Sequence, residues 1–549
     1  MDFVALIIFL ALYYLRPQEW FADFNALRPV QLLSFMAVWA MAQGNKLKPR
    51  DLVRTPLDWL VLAYFVWTLI AGFQFTRTIG EIEAVLLFYF VAVRSLDTIP
   101  RQKIFLAWWG LFIVIIAALA VASTMGFDPL GSNDRTEGIM KGRLMLNLSV
   151  FDNPNALAHS VIPALPIIYY LIYWRRTAMK AGLILMAIPL WCIFLTQSKG
   201  AYLCGFATLL ATLTFGRSKI AQVFIAFFAI VFGYGLLYQL PRMNELSHSK
   251  TDPAIQGRIA ALTYGYQLMQ NNYFGIGLGN FEDMFTRYGP LEKDRLVHII
   301  PAHDELGNNG ALRHIDEKRI PYFEYHHFLK ATHGAYNQNG AELGYVGLFL
   351  FIGILYCCIR TLLLVKSNDD EEERIRRCLF AMVVAYAVSS WMVDFCYRPT
   401  FFMFVAAISA FHRHLLKKQE LAAEPVVEMP VFPARPWMSR IPPLQLPGIP
   451  GFTTPLPAGS AASLVTPELA PAAGSMLPAT IQSTPLEARP FPGANGSGRV
   501  LGWHKKENSF QDILLKKFIW TRLGFLDLAI TLALTFAAIR YWQHLMKTF

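Results

Sequence analysis

The sequence predicts an all-α integral membrane protein: about 12 transmembrane helices in one bundle, a large loop between helices 9 and 10, and one extra C-terminal helix. Three observations predict it. Of the 549 residues, 55% are hydrophobic and only 16% charged, and the mean hydropathy is +0.37, too apolar for an ordinary soluble fold. The apolar residues gather into separate runs of the length a bilayer asks of a helix, with shorter ones that serve inside a bundle. The Lys and Arg residues gather in alternate connections between those runs.

In chain order, helices are expected at residues 3–15, 29–43, 57–74, 81–94, 103–125, 156–174, 181–196, 201–215, 220–239, 336–364, 378–394 and 399–412, with a separate one at 523–541. The first run reads as a retained helix and not a signal peptide, because no basic segment precedes Phe3 and no small-residue cleavage site follows Leu15. Basic connections carry Lys46, Lys48, Arg50 and Arg54, then Arg94, Arg101 and Lys103, then Arg175, Arg176 and Lys180. Further along come Arg217 and Lys219, then Lys366, Arg374, Arg376 and Arg377, then Arg413, Lys417 and Lys418. The positive-inside rule makes these cytoplasmic and the N-terminus internal. Segments 126–155, 196–200, 240–335 and 395–398 then face outward. A net charge of +11 is thereby accounted for without nucleic acid. Six cysteines (Cys192, Cys204, Cys357, Cys358, Cys378, Cys396) show neither zinc-site nor disulfide spacing and read as small core residues.

Four regions follow: an N-terminal transmembrane region (1–125), a transmembrane core (126–418) with an outer loop at 240–335, a linker with a basic stretch (419–512), and a C-terminal helix (513–549). The outer loop is far longer than a connector needs to be and holds seven of the twelve histidines. Helix-like stretches such as Arg258 to Gln270 predict a small folded cap. Residues 423–500 are rich in Pro, Ala, Gly and Ser, a composition that buries no core and predicts a disordered cytoplasmic linker. The last helix is therefore expected to be tethered to the bundle and not built into it. Asp527 within it marks either a helix partner or an acid near enough to the interface to hydrate.

The stretch Thr332-His333-Gly334-Ala335-Tyr336-Asn337 through Gly347 is the most informative. As one helix, it sets positions 333, 337, 340, 344 and 347 on a common face, with His333 and Asn337 above a face of glycines. Small residues let a neighbouring helix approach closely, so that face is expected to be packed, its imidazole at the outer end. A helix-capping histidine is the plainer alternative. Three other outward elements gather with it: Gly142-Arg143 ahead of Asp152-Asn153-Pro154-Asn155-Ala156-Leu157-Ala158; the turn Thr196-Gln197-Ser198-Lys199-Gly200; and Gln256-Gly257-Arg258, with Gly275-Ile276-Gly277-Leu278-Gly279-Asn280 ending the same stretch. Together they would bring Arg143, Lys199, Arg258 and His333 to one membrane face. The glycine run is a turn and not a dinucleotide fingerprint, since no strand–helix unit supports it. His326-His327 or His298 with His303 give no recognisable metal-ligand set, and the adjacent Asp304-Glu305 pair seldom points one way in a loop.

His333-x10-Gly344-x-x-Gly347 after a long outer loop resembles the signature of the O-antigen ligase and polymerase family. The Ser-Lys-Gly turn, the Gly-Arg followed by the glycine run, and the Asn-Pro-Asn-Ala-Leu-Ala segment resemble its other outer-face motifs in the same order. The resemblance covers roughly residues 140–412, and the first four helices resemble the N-terminal region of exosortase-associated O-glycosylation ligases. Two positions depart from the pattern: Gly334 stands where Asn, Ser or Gln is usual, and Lys199 where Arg is usual. Lysine keeps the charge and loses the bidentate fork.

The resemblance implies a GT-C-like fold and an inverting, metal-independent transfer of a glycan from a polyprenyl-diphosphate donor to an acceptor hydroxyl at the periplasmic face of a bacterial inner membrane. It implies no cofactor. His333 would be the general base, and Arg258, Lys199 and Arg143 would hold the diphosphate, whose developing charge needs cations. Asn337 and Tyr336 are candidates for donor or acceptor contacts. The acceptor would be a lipid, a growing polysaccharide or a protein, which leaves ligase, polymerase and protein O-oligosaccharyltransferase as alternatives within the family. From other classes, a multi-helix transporter would place ionisable groups near the membrane midplane, and a scaffold would use the linker to recruit partners.

Overall fold

The computed structural model describes residues 2–423 and 522–548, apart from short stretches of which 244–252 is the longest. The linker expectation at 424–521 lies outside the described residues. In chain order the α-helices are α1 (Asp2–Tyr14), α2 (Pro17–Trp20), α3 (Ala22–Ala26), α4 (Pro29–Gln43), α5 (Pro56–Ile70), α6 (Phe75–Ser95), α7 (Ile99–Ser123), α8 (Ser132–Glu137), α9 (Pro154–Val161) and α10 (Ala164–Ile168). They continue with α11 (Ala187–Leu195), α12 (Lys199–Thr214), α13 (Lys219–Gln239), α14 (Pro253–Asn271), α15 (Phe281–Tyr288), α16 (Ala335–Leu364), α17 (Asp370–Ser389), α18 (Pro399–Ala423) and α19 (Phe525–Thr548). Each apolar run marked in the sequence is helical over most of its described residues, that at 181–196 beginning with a 3-10 stretch at Ala178–Met186. Among the described residues, four segments are long and apolar enough to cross a membrane: Ile99–Ser123, Pro154–Ile172, Ala335–Leu364 and Phe525–Thr548. All six cysteines are free and buried.

The run at 156–174 is interrupted by its prolines. Pro163 lies between α9 and α10, and Pro166 lies within α10, which passes into a π turn at Tyr169–Tyr173. Each proline removes a backbone donor, so the ladder re-forms with a new pitch.

One end of the bundle is stitched by charge. Thr55 and Asp58 form a capping box that starts α5. The same buried Asp58 carboxylate accepts from Arg413 at 2.7 Å, Ser409 at 2.6 Å and Tyr89 at 2.9 Å. Its charge is thus both paired and fully hydrogen-bonded, the condition for keeping an ion in an apolar interior. Arg54–Glu420, Lys103–Glu371 and Lys418–Glu372 lie at this end too. Among the described residues, Arg54, Lys103, Arg413 and Lys418 of the basic connections are tied together at this end of the fold.

At the other end, the long loop is a cap of mixed structure. It carries α14, α15 and, by its backbone, a nested hairpin in which β1 (Glu292–Ile300) pairs with β4 (Lys318–His326) and β2 (His303–Leu306) with β3 (Leu312–Ile315), all antiparallel. Both ladders place their partners symmetrically about position 309, so the inner pair continues the outer register. Beside the helical bundle, this hairpin is an element the all-α expectation did not contain.

The helix expected through Thr332–Gly347 differs in two ways. It begins only at Ala335, and it breaks at Gly344, which adopts φ 68° and ψ −164°, a region open to glycine. The break is filled by the glycine run. Ile276 and Gly277 donate to the carbonyls of Ala341 and Glu342, Trp67 Nε1 donates to that of Leu343, and Tyr345 N donates to Tyr273 O. A Cβ at Gly275 would lie 2.2 Å from Glu342 O, so only glycine lets the loop enter.

The last helix is built into the bundle, against the tethered expectation. Its buried residues are Asp527, Thr531, Thr535 and Trp542. Asp527 pairs with Arg360 of α16 and accepts from Tyr356 at 3.0 Å. The helix-partner reading of Asp527 is the one the structure bears out.

Candidate functional site

The turn that ends α17, Ser389–Val393, is where two of the sequence motifs meet. Ala335 N, at the start of α16, donates to Ser390 O at 2.7 Å and to Val393 O at 2.9 Å. His333 stands two residues earlier, half-buried and in the left-handed conformation, φ 54°. Beside the same turn lies Lys199-Gly200: a Cβ on Gly200 would lie 3.0 Å from the Met392 side chain. Ser198 caps α12 there through its hydroxyl.

Arg143 joins this group through its hydrogen bonds. Its Nε donates to Thr196 O at 3.2 Å and its Nη2 to Asn155 Oδ1 at 3.1 Å, while Ser198 Oγ donates to the same Asn155 oxygen at 2.7 Å. Asn155 sits in the Asn-Pro-Asn turn that opens α9, where the Asn153 side chain accepts from Asn155 N. One helical turn deeper, His159 faces Ser389 Oγ at 2.8 Å and lines a cavity of about 30 Å³ with Tyr14 and Trp109.

Arg258 enters from α14. Its helix packs alongside the first half of α16. The two helices run in the same direction there: Asn337 Nδ2 donates to Ala261 O, Gly340 meets Met269, and Gly344 meets Tyr273. Arg258 and His333 each precede the Ala261–Asn337 contact, so both lie at the same end of the pair. Arg143, Lys199, Arg258 and His333 are all half-buried, which leaves each in reach of solvent. On α15, burial first and then Asp394 and Asp283 push the Glu282 carboxyl above its usual range.

Among the described residues, three of the five non-glycine residues with positive φ stand at these motifs: Lys141, Gln197 and His333. Such residues are uncommon and cost free energy, and they concentrate where the surrounding structure fixes a functional geometry.

Two other sequence candidates are placed elsewhere. Tyr336 is buried, meets Trp391 in a tilted ring contact at 4.5 Å and donates to Ala387 O, so its ring packs toward α17. Asn337 is buried between α14 and α16, donating to Ala261 O and Thr332 O, and a Cβ at Gly265 would lie 2.0 Å from its oxygen. Both are packing residues beneath the site. Conversely, His159 and the Ser389–Val393 turn were not singled out by sequence, and Asn155 and Ser198 only as members of their motifs. The Asn-Pro-Asn turn was the one available signal for Asn155. Among the described residues no three His, Cys, Asp or Glu side chains group as metal ligands. Compared with known proteins, the chain matches no family model and no curated protein sequence.

Proposed function

We propose that the chain is a multi-pass glycosyltransferase that moves a glycan from a polyprenyl-diphosphate donor to an acceptor hydroxyl, at the periplasmic face of a bacterial inner membrane. In this reading the bundle crosses the membrane about 12 times and α19 adds one crossing. What supports it is that Ala335, two residues after His333, and Gly200, beside Lys199, both meet the Ser389–Val393 turn, that Arg143 shares the Asn155 oxygen with Ser198, and that Arg258 lies at the same end of its helix pair as His333.

The acceptor oxygen attacks the anomeric carbon, its proton passes to the His333 imidazole, and the anomeric C–O bond breaks with its electron pair leaving on the diphosphate. Arg258, Lys199 and Arg143 meet the charge that develops there. These protein cations do the neutralising, so the step calls for no metal ion. A single displacement inverts the anomeric centre.

A transport reading would use the carbonyls freed at the α16 break to hold an ion. Those of Ala341, Glu342 and Leu343 already accept hydrogen bonds from Ile276, Gly277 and Trp67.

The test is a reaction with purified protein, a polyprenyl-diphosphate oligosaccharide and an acceptor fraction, in EDTA. Transfer is expected, lost in His333→Ala and weakened through donor KM in Arg258→Ala. A deletion strain should accumulate lipid-linked glycan. Absence of transfer, together with an unchanged glycan profile in that strain, rejects the reading.

A further inference from the structure

The face that α19 turns to the bundle is not that of a lipid anchor. Phe525, Leu526, Leu532 and Phe536 on its outer side are exposed, whereas Asp527, Thr531, Thr535 and Trp542 are buried. An acid is stable on that face only against a cation, and Arg360 supplies it. The helix therefore docks in one register, antiparallel to α16. Asp527 lies beside Tyr356 and Arg360, Thr531 beside Gly353, and Trp542 beside Gly340.

That register delivers the far end of α19 to the candidate site. Trp542 Nε1 donates to Leu262 O at 3.0 Å, four residues past Arg258 on α14. The same indole lies where a Cβ on Gly340, seven residues past His333 on α16, would come within 3.0 Å of it. Gln543 donates to Tyr266 of α14. Tyr541 meets Trp391 of the Ser389–Val393 turn at 5.1 Å, and Trp391 in turn packs against the tilted ring of Tyr336. Three elements that border the site are thus touched by three consecutive residues of a helix outside the stretch that resembles the ligase family.

We propose that Trp542 is a positioning residue of the candidate site. Its indole is the spacer that sets the separation of the helix bearing Arg258 from the helix bearing His333. The wedge touches no donor or acceptor. It acts one to two turns below the two residues, where a change in helix spacing moves both side chains, and a displacement of 1 Å costs on the order of 100-fold in rate. The rate consequence rests on the transferase reading; the spacer role does not.

The test uses the full chain and two readouts. Spin labels on cysteines placed at the exposed positions Gln267 of α14 and Val346 of α16 report the helix separation without any reaction. The six native cysteines are buried and stay unlabelled. Trp542→Ala should shift or broaden that distance while Trp542→Phe, which keeps the ring, should hold it near wild type. Gly340→Ala pushes a methyl into the indole and should move the same distance from the other side, giving a second variant should Trp542→Ala not fold. Leu534→Ala, on the outer face, should change nothing. In the transfer assay the wedge variants should lose about tenfold or more in kcat per folded molecule. A purely structural tryptophan would lower melting temperature and leave both distance and kcat unchanged, which overturns the proposal. A shifted distance in a protein whose wild type transfers nothing would keep the spacer and reject the transferase.

Discussion

Arg143 Nη2 donates to Asn155 Oδ1 at 3.1 Å, and that one oxygen also accepts from Ser198 beside Lys199. A single amide thus joins two of the cationic motifs. Asn155→Ala should leave two donors without their acceptor, at a cost of about 1–3 kcal/mol in stability. Donor KM should rise more than kcat falls, because both cations move and the histidine does not. Thermal unfolding in detergent alongside donor titration measures the two effects. An unchanged KM would mean that neither cation meets the donor.

Sidedness is the next test. The ion pairs Arg54–Glu420, Lys103–Glu371 and Lys418–Glu372 collect the basic connections at one end, and the motif turns lie at the other. A cysteine replacing Tyr288, which is 70% exposed on the cap, should react with an impermeant thiol reagent in spheroplasts. One replacing Asp370 should react only after the membrane is opened. The reverse pattern would put His333 on the wrong side for a periplasmic reaction.

Hydropathy made the helices legible, because a bilayer-sized apolar run admits no other regular structure. Burial patterns set by distant partners were not legible. Asn337 and Tyr336 lie on the outer turn of a helix and looked available, yet Ala261 and Trp391 cover them. The break at Gly344 depends on a loop about 70 residues earlier inserting its own glycines, a long-range fit that helical periodicity does not encode. Likewise the composition of the linker says nothing about Asp527 finding Arg360 beyond it. Arg143, Lys199 and His333 were readable because each sits in or beside a local turn whose residue types are distinctive, and Arg258 because Gly257 precedes it and the glycine run ends its helix. Their meeting point, Ser389–Val393, has no such signature.

The break itself predicts a folding defect. Gly344→Ala would put a Cβ 2.1 Å from Tyr273 O in a backbone region that L-residues avoid, and neither the loop nor the helix has room to move. Membrane-inserted yield should fall severely, by an amount matching a loss of more than about 3 kcal/mol. Gly235→Ala, with open space around it, should express normally. Equal yields would show that the glycine loop does not plug the break.

Acid should loosen the contact between Glu19 and Ser149. Burial pushes its carboxyl up, but Ser149, by side chain and backbone, and then Arg16 outweigh that and hold it below its usual value of 4.5. Ser149 N and Oγ donate to it at 2.9 and 2.7 Å, tying the segment after α1 to the turn that leads into Asn153. A depressed folded-state value means the contribution is present above pH 4.5 and lost as pH falls through the folded value. Hydrogen exchange across 144–153 should therefore quicken below that pH in wild type. Glu19→Gln should exchange quickly throughout and lose the pH dependence. A parallel acid response in both proteins would assign it to another group.

His333 offers the sharpest separation of backbone from chemistry, because its φ of 54° gives the residue two jobs that different side chains can do. Asparagine adopts the left-handed region readily, whereas alanine pays about 1–2 kcal/mol there. His333→Asn should therefore melt near wild type and His333→Ala measurably lower, with the start of α16 still held by Ser390 and Val393. Neither side chain takes up a proton near neutral pH, so both variants should transfer less than about a hundredth as fast, the scale of general-base catalysis. If the histidine serves only the turn, activity follows stability: His333→Asn is active and His333→Ala partly so. Melting curves and single-turnover transfer on the same preparations decide between these orders, and full turnover by the stable asparagine variant would remove His333 from the reaction.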